Sequence, residues 1–402
     1  MLSTARFSLE WEKVRGSSVN SSCPPTIMSA STDPYKLLLA GYSGKVASYT
    51  FTPPSTLTLD AEVQGEAGKS PSWAAFSPSL PVAYVCDEDE SKGMVHALSL
   101  PGLQKAGHAT ETDGKGPCSA IVVGHLLFVA NYLTGSTSIH SPTSSDGSLV
   151  STTPSRIIPF HRFPPGSTGP VSSRQDRSYA HQVIADPSGR FVYIVDLGAD
   201  QVHRLRVPES GRADEVEAVG ETEIEEGAGP RHLAFHCDSA TGHTYAYLAC
   251  ELNTTLLAFH VDPKDGSLQP IGEAQSSLPP GLDAGGTPAD GNARTTSEIA
   301  VSPCGRFVDV GTRGDPEEDH IAVFARRESG QVEWVGWDGV GGRNLRHFSL
   351  STDGKWVAAA SQNDGRVVML RRDDESGRLT MTGEASIDFE KVAFAGFVAA
   401  GR

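Results

Sequence analysis

Three stretches of the chain repeat one pattern of apolar and polar positions: HQVIADPSGRFVYIVDLGADQVHRLRV from His181, SEIAVSPCGRFVDVGTRGDPEEDHIAVFAR from Ser297, and RHFSLSTDGKWVAAASQNDGRVVMLRR from Arg346. Each opens with a short apolar run of strand length and then makes a tight turn at Pro-Ser-Gly, Pro-Cys-Gly or Thr-Asp-Gly. A second apolar run follows, then a polar loop and a third strand. The segment from Arg231 fits with a longer turn, those from Ser72 and Cys118 fit as well, and the segment from Thr26 fits least closely. A fourth strand follows most units, as in EAVGETEI, LQPIGEAQS, VEWVGWDGV and LTMTGEAS. Repetition at this period is the signature of a radial array, and units of four strands are propeller blades. The pattern therefore predicts an all-β chain, a seven-bladed β-propeller of four-stranded antiparallel blades, with first strands beginning at 26, 72, 118, 181, 231, 297 and 346.

Residues 1–402 are expected to form one such domain. Two of the unit spacings are long, and the excess falls in 141–178 and 262–296, both rich in Ser, Pro and Gly. These read as extended loops on one face or as disordered insertions. Either the C-terminal FEKVAFAGFVAAGR or the N-terminal ARFSLEWEKV can supply the strand that closes the ring.

Composition supports this class. The chain has 42 Gly, 26 Pro and only 7% aromatic residues, and no middle segment shows sustained helical periodicity. Lys+Arg number 33 against 49 Asp+Glu, a net charge of −16. Such a surface repels nucleic acid and anionic membrane, so neither is an expected partner, and a small anionic ligand needs locally gathered cations. No apolar run is long enough to span a membrane, and charges fill the N-terminal positions where a signal peptide needs an apolar core, so a cytoplasmic location is expected. The cysteines Cys23, Cys86, Cys118, Cys237, Cys250 and Cys304 show no CxxC spacing and read as buried thiols. No ligand spacing suggests a metal, and no phosphate loop suggests a cofactor.

Antiparallel geometry sets where a site belongs. In every blade the first strand starts, and the second strand ends, at the same mouth of the channel. The first set comprises Thr26, Ser72, Cys118, His181, Arg231, Ser297 and Arg346. The second comprises Tyr42, Asp87, Tyr132, Asp196, Glu251, Arg313 and Gln362. Charges at the narrowest part of a channel are costly unless they pair or bind something. Arginine's planar fork suits carboxylate or phosphate. Ion pairing between blades is the competing explanation for Arg231, Glu251 and Arg313. By strand alternation His232 and His347 should point away from the channel, with Glu298 and His236 near the same strands.

At these residues the sequence resembles the lactonase propeller family, which includes bacterial 6-phosphogluconolactonase and the fungal carboxy-cis,cis-muconate cyclase. The stretches that carry the resemblance are GPVSSRQDRSYAHQV, DPSGRFVYIVDLGADQV, GPRHLAF, ACELNTT and SEIAVSPCGRF, with the Arg313 turn before DHIAVF. Tyr179 stands where many members have a second histidine, and DVGTR stands where they read YxSNR. The resemblance implies lactone chemistry, ring-opening or ring-closing, on a small carboxylated or phosphorylated substrate without a metal or other cofactor. It implies catalytic roles for His181, Arg231, Glu251 and Arg313. Arg346, Asp196, Tyr179 and Gln362 are expected to contact substrate. A non-catalytic propeller serving as a binding platform is the alternative, since fold alone does not decide function.

Overall fold

A computed structural model describes residues 34–141, 146–164, 166–285 and 293–399. Its strands assemble into seven antiparallel sheets, the blades of the propeller. Apart from the ring closure, the inner strands are Pro71–Phe76, Pro117–Val123, Ala180–Ala185, Pro230–Cys237, Thr295–Val301 and Leu345–Leu350. Each begins one or two residues before the position expected from the repeat. The second strands are buried on both faces, as in FVYIVD of Phe191–Asp196 and WVAAAS of Trp356–Ser361, because each is covered by a blade on either side. The core is accordingly divided into wedges between neighbouring blades. One joins Tyr193 and Val195 to Leu248 and Cys250, and another joins Val308 and Val310 to Tyr247 and Ala249.

The ring is closed by the C-terminal segment. Val392–Val398 takes the innermost place of the first blade and pairs with Tyr35–Gly41, followed outward by Lys45–Thr52 and Thr56–Gln64. A first strand starting at Thr26 is therefore replaced in the sheet by Val392–Val398, and Thr26 itself lies outside the described residues. The long segments also contain blade structure. Arg156–Pro159 is the outer strand of the third blade, and Leu268–Pro270 with Gln275–Ser276 both pair with Thr255–Val261 in the fifth.

Every inner strand carries a bulge near its start. Pairing skips Ser72, Cys118, His181, Arg231 and Arg346, skips Ser297 with Glu298, and skips Ala393 in the closing strand. A bulge sets two residues against one on the partner strand and re-aims the side chains there. Here it breaks the in–out alternation, so that two successive residues of one strand both face the channel. Cys86, Cys118 and Cys250 are buried free thiols, whereas Cys304 is exposed and Cys237 is disulfide-bonded, which corrects the expectation of buried thiols for these two. A thiol on a surface turn has no apolar wedge to bury it. Among the described residues no helix is long and apolar enough to cross a membrane.

Candidate active site

The bulged residues and the residues just past the second strands meet at one mouth. Arg231 is 2% exposed, and its Nε lies 3.0 Å from Glu251 Oε2. That contact is off the angle a hydrogen bond requires, so both atoms lack a hydrogen-bond partner among the described residues. Arg231 Nη1 donates to the Ser297 carbonyl at 2.5 Å. Glu251, 1% exposed, receives two further arginines at Oε1: Arg174 at 2.7 Å and Arg313 at 3.3 Å. Arg313 is steadied by Thr295 Oγ1 at 3.2 Å. Three guanidinium groups thus surround one carboxylate.

Burial alone would raise the Glu251 carboxyl, but Arg313, Arg174 and Arg231 overcome it and hold the pKa down to about 2. Burial, followed by the charge of Arg313, lowers Arg231 to about 10, which still leaves it a cation at neutral pH. His181 is pushed well below its usual value, first by burial and then by Arg231, His232, Arg346 and Arg313, so it is neutral near pH 7. Its Nδ1 lies 3.2 Å from His232 Nε2, and its Nε2 has no hydrogen-bond partner among the described residues. His181 and Glu251 share no hydrogen bond; Glu251 belongs to the arginines and His181 to His232.

Arg174 is the residue that the strand reading missed. It sits in the long 141–178 segment, inside the GPVSSRQDRSYAHQV stretch, and reaches both Glu251 and, at 3.5 Å, the Tyr132 hydroxyl. Next to it, Gln175 Nε2 donates to the Leu197 carbonyl and Asp200, and these bonds pin the loop onto the fourth blade.

The strand-two positions need a one-residue correction in two blades. The amides of Tyr42, Glu88, Tyr132, Leu197, Glu251 and Gln362 each bond to the carbonyl two residues before a bulge, which makes these six equivalent. The mouth residue of the fourth blade is therefore Leu197, not Asp196, and that of the second is Glu88, not Asp87. A slip of one residue reverses the face a side chain occupies. Asp196 is fully buried in its own blade, accepting from the Tyr179 and Ala199 amides at 2.7 and 3.0 Å with His203 at 3.2 Å. It is a turn-stabilising carboxylate, not a ligand contact. Tyr179 lies at the rim, its ring tilted against that of Tyr132 and its hydroxyl donating to Asp176 at 2.6 Å. Gln362 lines the mouth beside Arg346.

Arg346 pairs with Glu88 at 3.4 Å and lies over the Tyr42 ring, while the Tyr42 hydroxyl donates to Glu88 at 2.6 Å. Burial opposes its charge, but the neighbouring Tyr42 and Glu88 raise its pKa, so it is a permanent cation. A cavity of about 630 Å³ opens here, bounded by Tyr42, Glu88, Tyr132, Arg346 and Gln362.

One layer deeper, the bulges overturn the expectation for His232 and His347. Both face the channel. His232 Nδ1 lies 2.7 Å from Glu298 Oε1, and His347 Nε2 lies 3.4 Å from Glu298 Oε2. The Trp73 ring meets both imidazoles edge-on. His236, by contrast, lies further along its strand and is only partly buried. Among the described residues no group of three or more His, Cys, Asp or Glu side chains is arranged to hold a metal ion.

Comparison with known proteins agrees with this geometry. The sequence pattern described as "Lactonase, 7-bladed beta-propeller" matches residues 29–394. The 6-phosphogluconolactonase of Bacillus subtilis is 29% identical over 320 residues, covering 78% of this chain and 83% of that protein. The 6-phosphogluconolactonase of Formosa agariphila is 25% identical over 258 residues, 64% of this chain and 66% of that one. Among solved structures, the periplasmic gluconolactonase of Pseudomonas aeruginosa superposes with a TM-score of 0.76 at 25% identity, over 91% of this chain and 99% of that chain. With a match that spans all the blades and the residues of the mouth, this chain belongs to the seven-bladed lactonase β-propeller family.

Proposed function

We propose that this protein hydrolyses the lactone of a small anionic sugar acid, of the 6-phosphogluconolactone or gluconolactone type. The observation that carries the reading is the cluster of Arg174, Arg231 and Arg313 about Glu251, beside a neutral His181. Glu251 is too acidic to take a proton near pH 7, so it serves to hold the arginines apart and aimed. The base is His181. Its Nε2 removes a proton from water as the water oxygen bonds to the lactone carbonyl carbon. The carbonyl oxygen becomes an oxyanion, which Arg231 and Arg313 stabilise, a contribution of about 3–4 kcal/mol for a well-placed donor. Collapse of that intermediate breaks the bond to the ring oxygen, which leaves as the alcohol after taking the proton back from His181. Arg346 supplies the cation for the phosphate that 6-phosphogluconolactone carries and gluconolactone lacks, and Tyr179 and Gln362 flank the entrance.

The opposite wall bears on substrate choice. Glu88, Asp89 and Glu90 border the same cavity as Arg346. Carboxylates accept hydrogen bonds from sugar hydroxyls, whereas a carboxymuconate has no hydroxyl to offer and three carboxylates to be repelled; a single phosphate is repelled as well but can sit against Arg346. Hydrolysis of a hydroxylated lactone is therefore favoured over cyclisation of a muconate. No metal is required by this mechanism, and turnover is expected to survive exhaustive chelation.

The test is a screen of 6-phosphogluconolactone, gluconolactone and carboxymuconates in oxygen-18 water, with products identified by mass spectrometry. Hydrolysis places one solvent oxygen in the new carboxylate. Solvent deuterium on carbon in a parallel experiment would instead indicate a cyclase. If none of these compounds turns over, the propeller is a binding platform and the proposal is wrong.

A further inference from the structure

Directly beneath the mouth, the channel holds a chain of polar groups that no step above uses. Glu298 Oε1 accepts from its own strand's Ile299 amide at 3.0 Å and faces His232 Nδ1 at 2.7 Å. His232 Nε2 then faces His181 Nδ1 at 3.2 Å. On the other side of Glu298, His347 Nε2 stands 3.4 Å from Oε2, off the line of a hydrogen bond, while its Nδ1 accepts from the Ala395 amide at 3.3 Å. All four side chains are buried.

The hydrogen positions follow from these contacts. An ionised carboxylate only accepts, so the proton between Glu298 and His232 is on His232 Nδ1. A neutral imidazole carries one proton, so His232 Nε2 is a lone pair, and the proton between the two histidines is on His181 Nδ1. His181 Nε2 is then a lone pair as well. His347, whose Nδ1 is occupied as an acceptor, presents its Nε2 proton towards Glu298 and adds to the field that keeps the carboxylate ionised. Burial opposes ionisation of Glu298, but His232 and His347 bring its pKa down to about 2, and burial keeps His232 neutral.

We propose that Glu298 and His232 are positioning residues which lock His181 in the tautomer with its proton on Nδ1, so that Nε2 is presented to the mouth as a ready proton acceptor. The proposal rests on His181 being the base of the lactonase reading. A histidine free to choose would spend part of its time with Nε2 protonated, and in that form it cannot accept a proton from water. The seven bulges make the device possible. Arg231 and His232 are consecutive, yet the first reaches Glu251 at the mouth and the second reaches His181 and Glu298 below it.

The experiment has two readouts on the full-length protein. Nitrogen-15 spectra of the histidine side chains, assigned with His181→Asn and His232→Gln, report the tautomer without any substrate. At pH 7 His181 is expected to be neutral and protonated on Nδ1. In His232→Leu that single tautomer should give way to a mixture, and kcat on the lactone that turns over should fall by on the order of 10²-fold with KM little changed. His232→Gln can accept from His181 through its amide oxygen and donate to Glu298 through its amide nitrogen, so it should recover most of both signals. A wild-type His181 protonated on Nε2 would overturn the proposal, as would a His232→Gln variant no better in kcat than His232→Leu. Should His232→Leu fail to fold, the wild-type spectrum still decides, and His232→Gln is then judged by whether its kcat and its His181 tautomer stay near those of wild type. The expected tautomer in a protein that turns over no lactone would leave the lock standing and refute the lactonase reading alone.

Discussion

The two halves of the mouth use the same seven backbone positions in opposite ways. In blades four to seven the bulged residues are His181, Arg231, Ser297 and Arg346, and the channel is filled by large polar side chains in contact. In blades one to three they are the small residues Ala393, Ser72 and Cys118, and the cavity opens on this side, lined by Tyr42, Glu88 and Tyr132 with Arg346 and Gln362 of the seventh blade. One half is ion-paired and cationic, and the other is open and lined by Tyr42, Glu88 and Tyr132. A ring of equivalent strands is symmetric by construction; the site comes from breaking that symmetry through side-chain size. Pre-organised charge on one side and room for a ligand on the other are the two things such chemistry requires.

The contrast breaks most severely at Arg231. Arg231→Ala removes one of three buried cations around Glu251, which keeps Arg174 and Arg313, and takes the donor from the Ser297 carbonyl, a change of about 1–3 kcal/mol in stability. Lactone turnover should fall by roughly 10²–10³-fold, and thermal or denaturant melting together with kcat/KM checks both. A variant as stable and as active as wild type would mean the cationic half is decoration.

A second test uses pH. His181 has its pKa pushed down, so its basic form persists as the pH falls through the ordinary histidine value of about 6.5. The acid limb of kcat/KM should therefore lie well below 6.5, and the rate should be flat between pH 6.5 and about 8. An inflection at 6.5 that vanishes in His181→Asn would show a solvated histidine instead. The same sign applies to Glu251 and Glu298, both depressed to about 2. Their contribution to stability is complete above the ordinary carboxylate value of about 4.5 and is lost as the pH drops towards 2.

On the open half the expected effects are smaller. Ser72→Leu fills space below the cavity and should raise KM about tenfold, some 1.4 kcal/mol, more than it lowers kcat. Smallest of all, Glu88→Gln keeps an acceptor for the Tyr42 hydroxyl but releases Arg346 from its ion pair. Anionic inhibitors should then bind roughly two- to fivefold tighter, the range of a partly exposed pair, and the gain should shrink with added salt. Weaker binding would mean that Glu88 itself holds the ligand.

The blades were legible because a strand–turn–strand unit repeats its apolar pattern, and six inner strands begin within two residues of the expected starts; the start expected at Thr26 failed, because Val392–Val398 fills that place in the first blade. His181, Arg231, Glu251 and Arg313 were legible as mouth residues for the same reason, and the structure brings all four to one place. What escaped the sequence was geometry without a pattern. A bulge leaves no mark on hydrophobic alternation, so His232 and His347 were assigned to the wrong side. Asp196 and Glu88 turn on the last residue of a strand, where one position separates a buried turn-stabilising carboxylate from a channel side chain. Arg174 arrives on a long loop, and loops carry no periodicity from which to infer their direction; only its place within a stretch resembling the lactonases marked it.

The ring closure places a demand on the chain during its synthesis. Leu37 waits for Phe397, and until Val392–Val398 has emerged the first blade lacks its inner strand and offers the bare edge of Tyr35–Gly41 to any other strand nearby. Contacts this distant in sequence form slowly and late. The same segment brings the Ala395 amide that orients His347 and the Phe394 ring that packs against it. A nascent or prematurely terminated chain can therefore build six blades and most of the arginine cluster while the channel beneath is unfinished, so that binding of anions should appear before full activity. Full activity in the cell then serves as a certificate that translation has passed the closing strand.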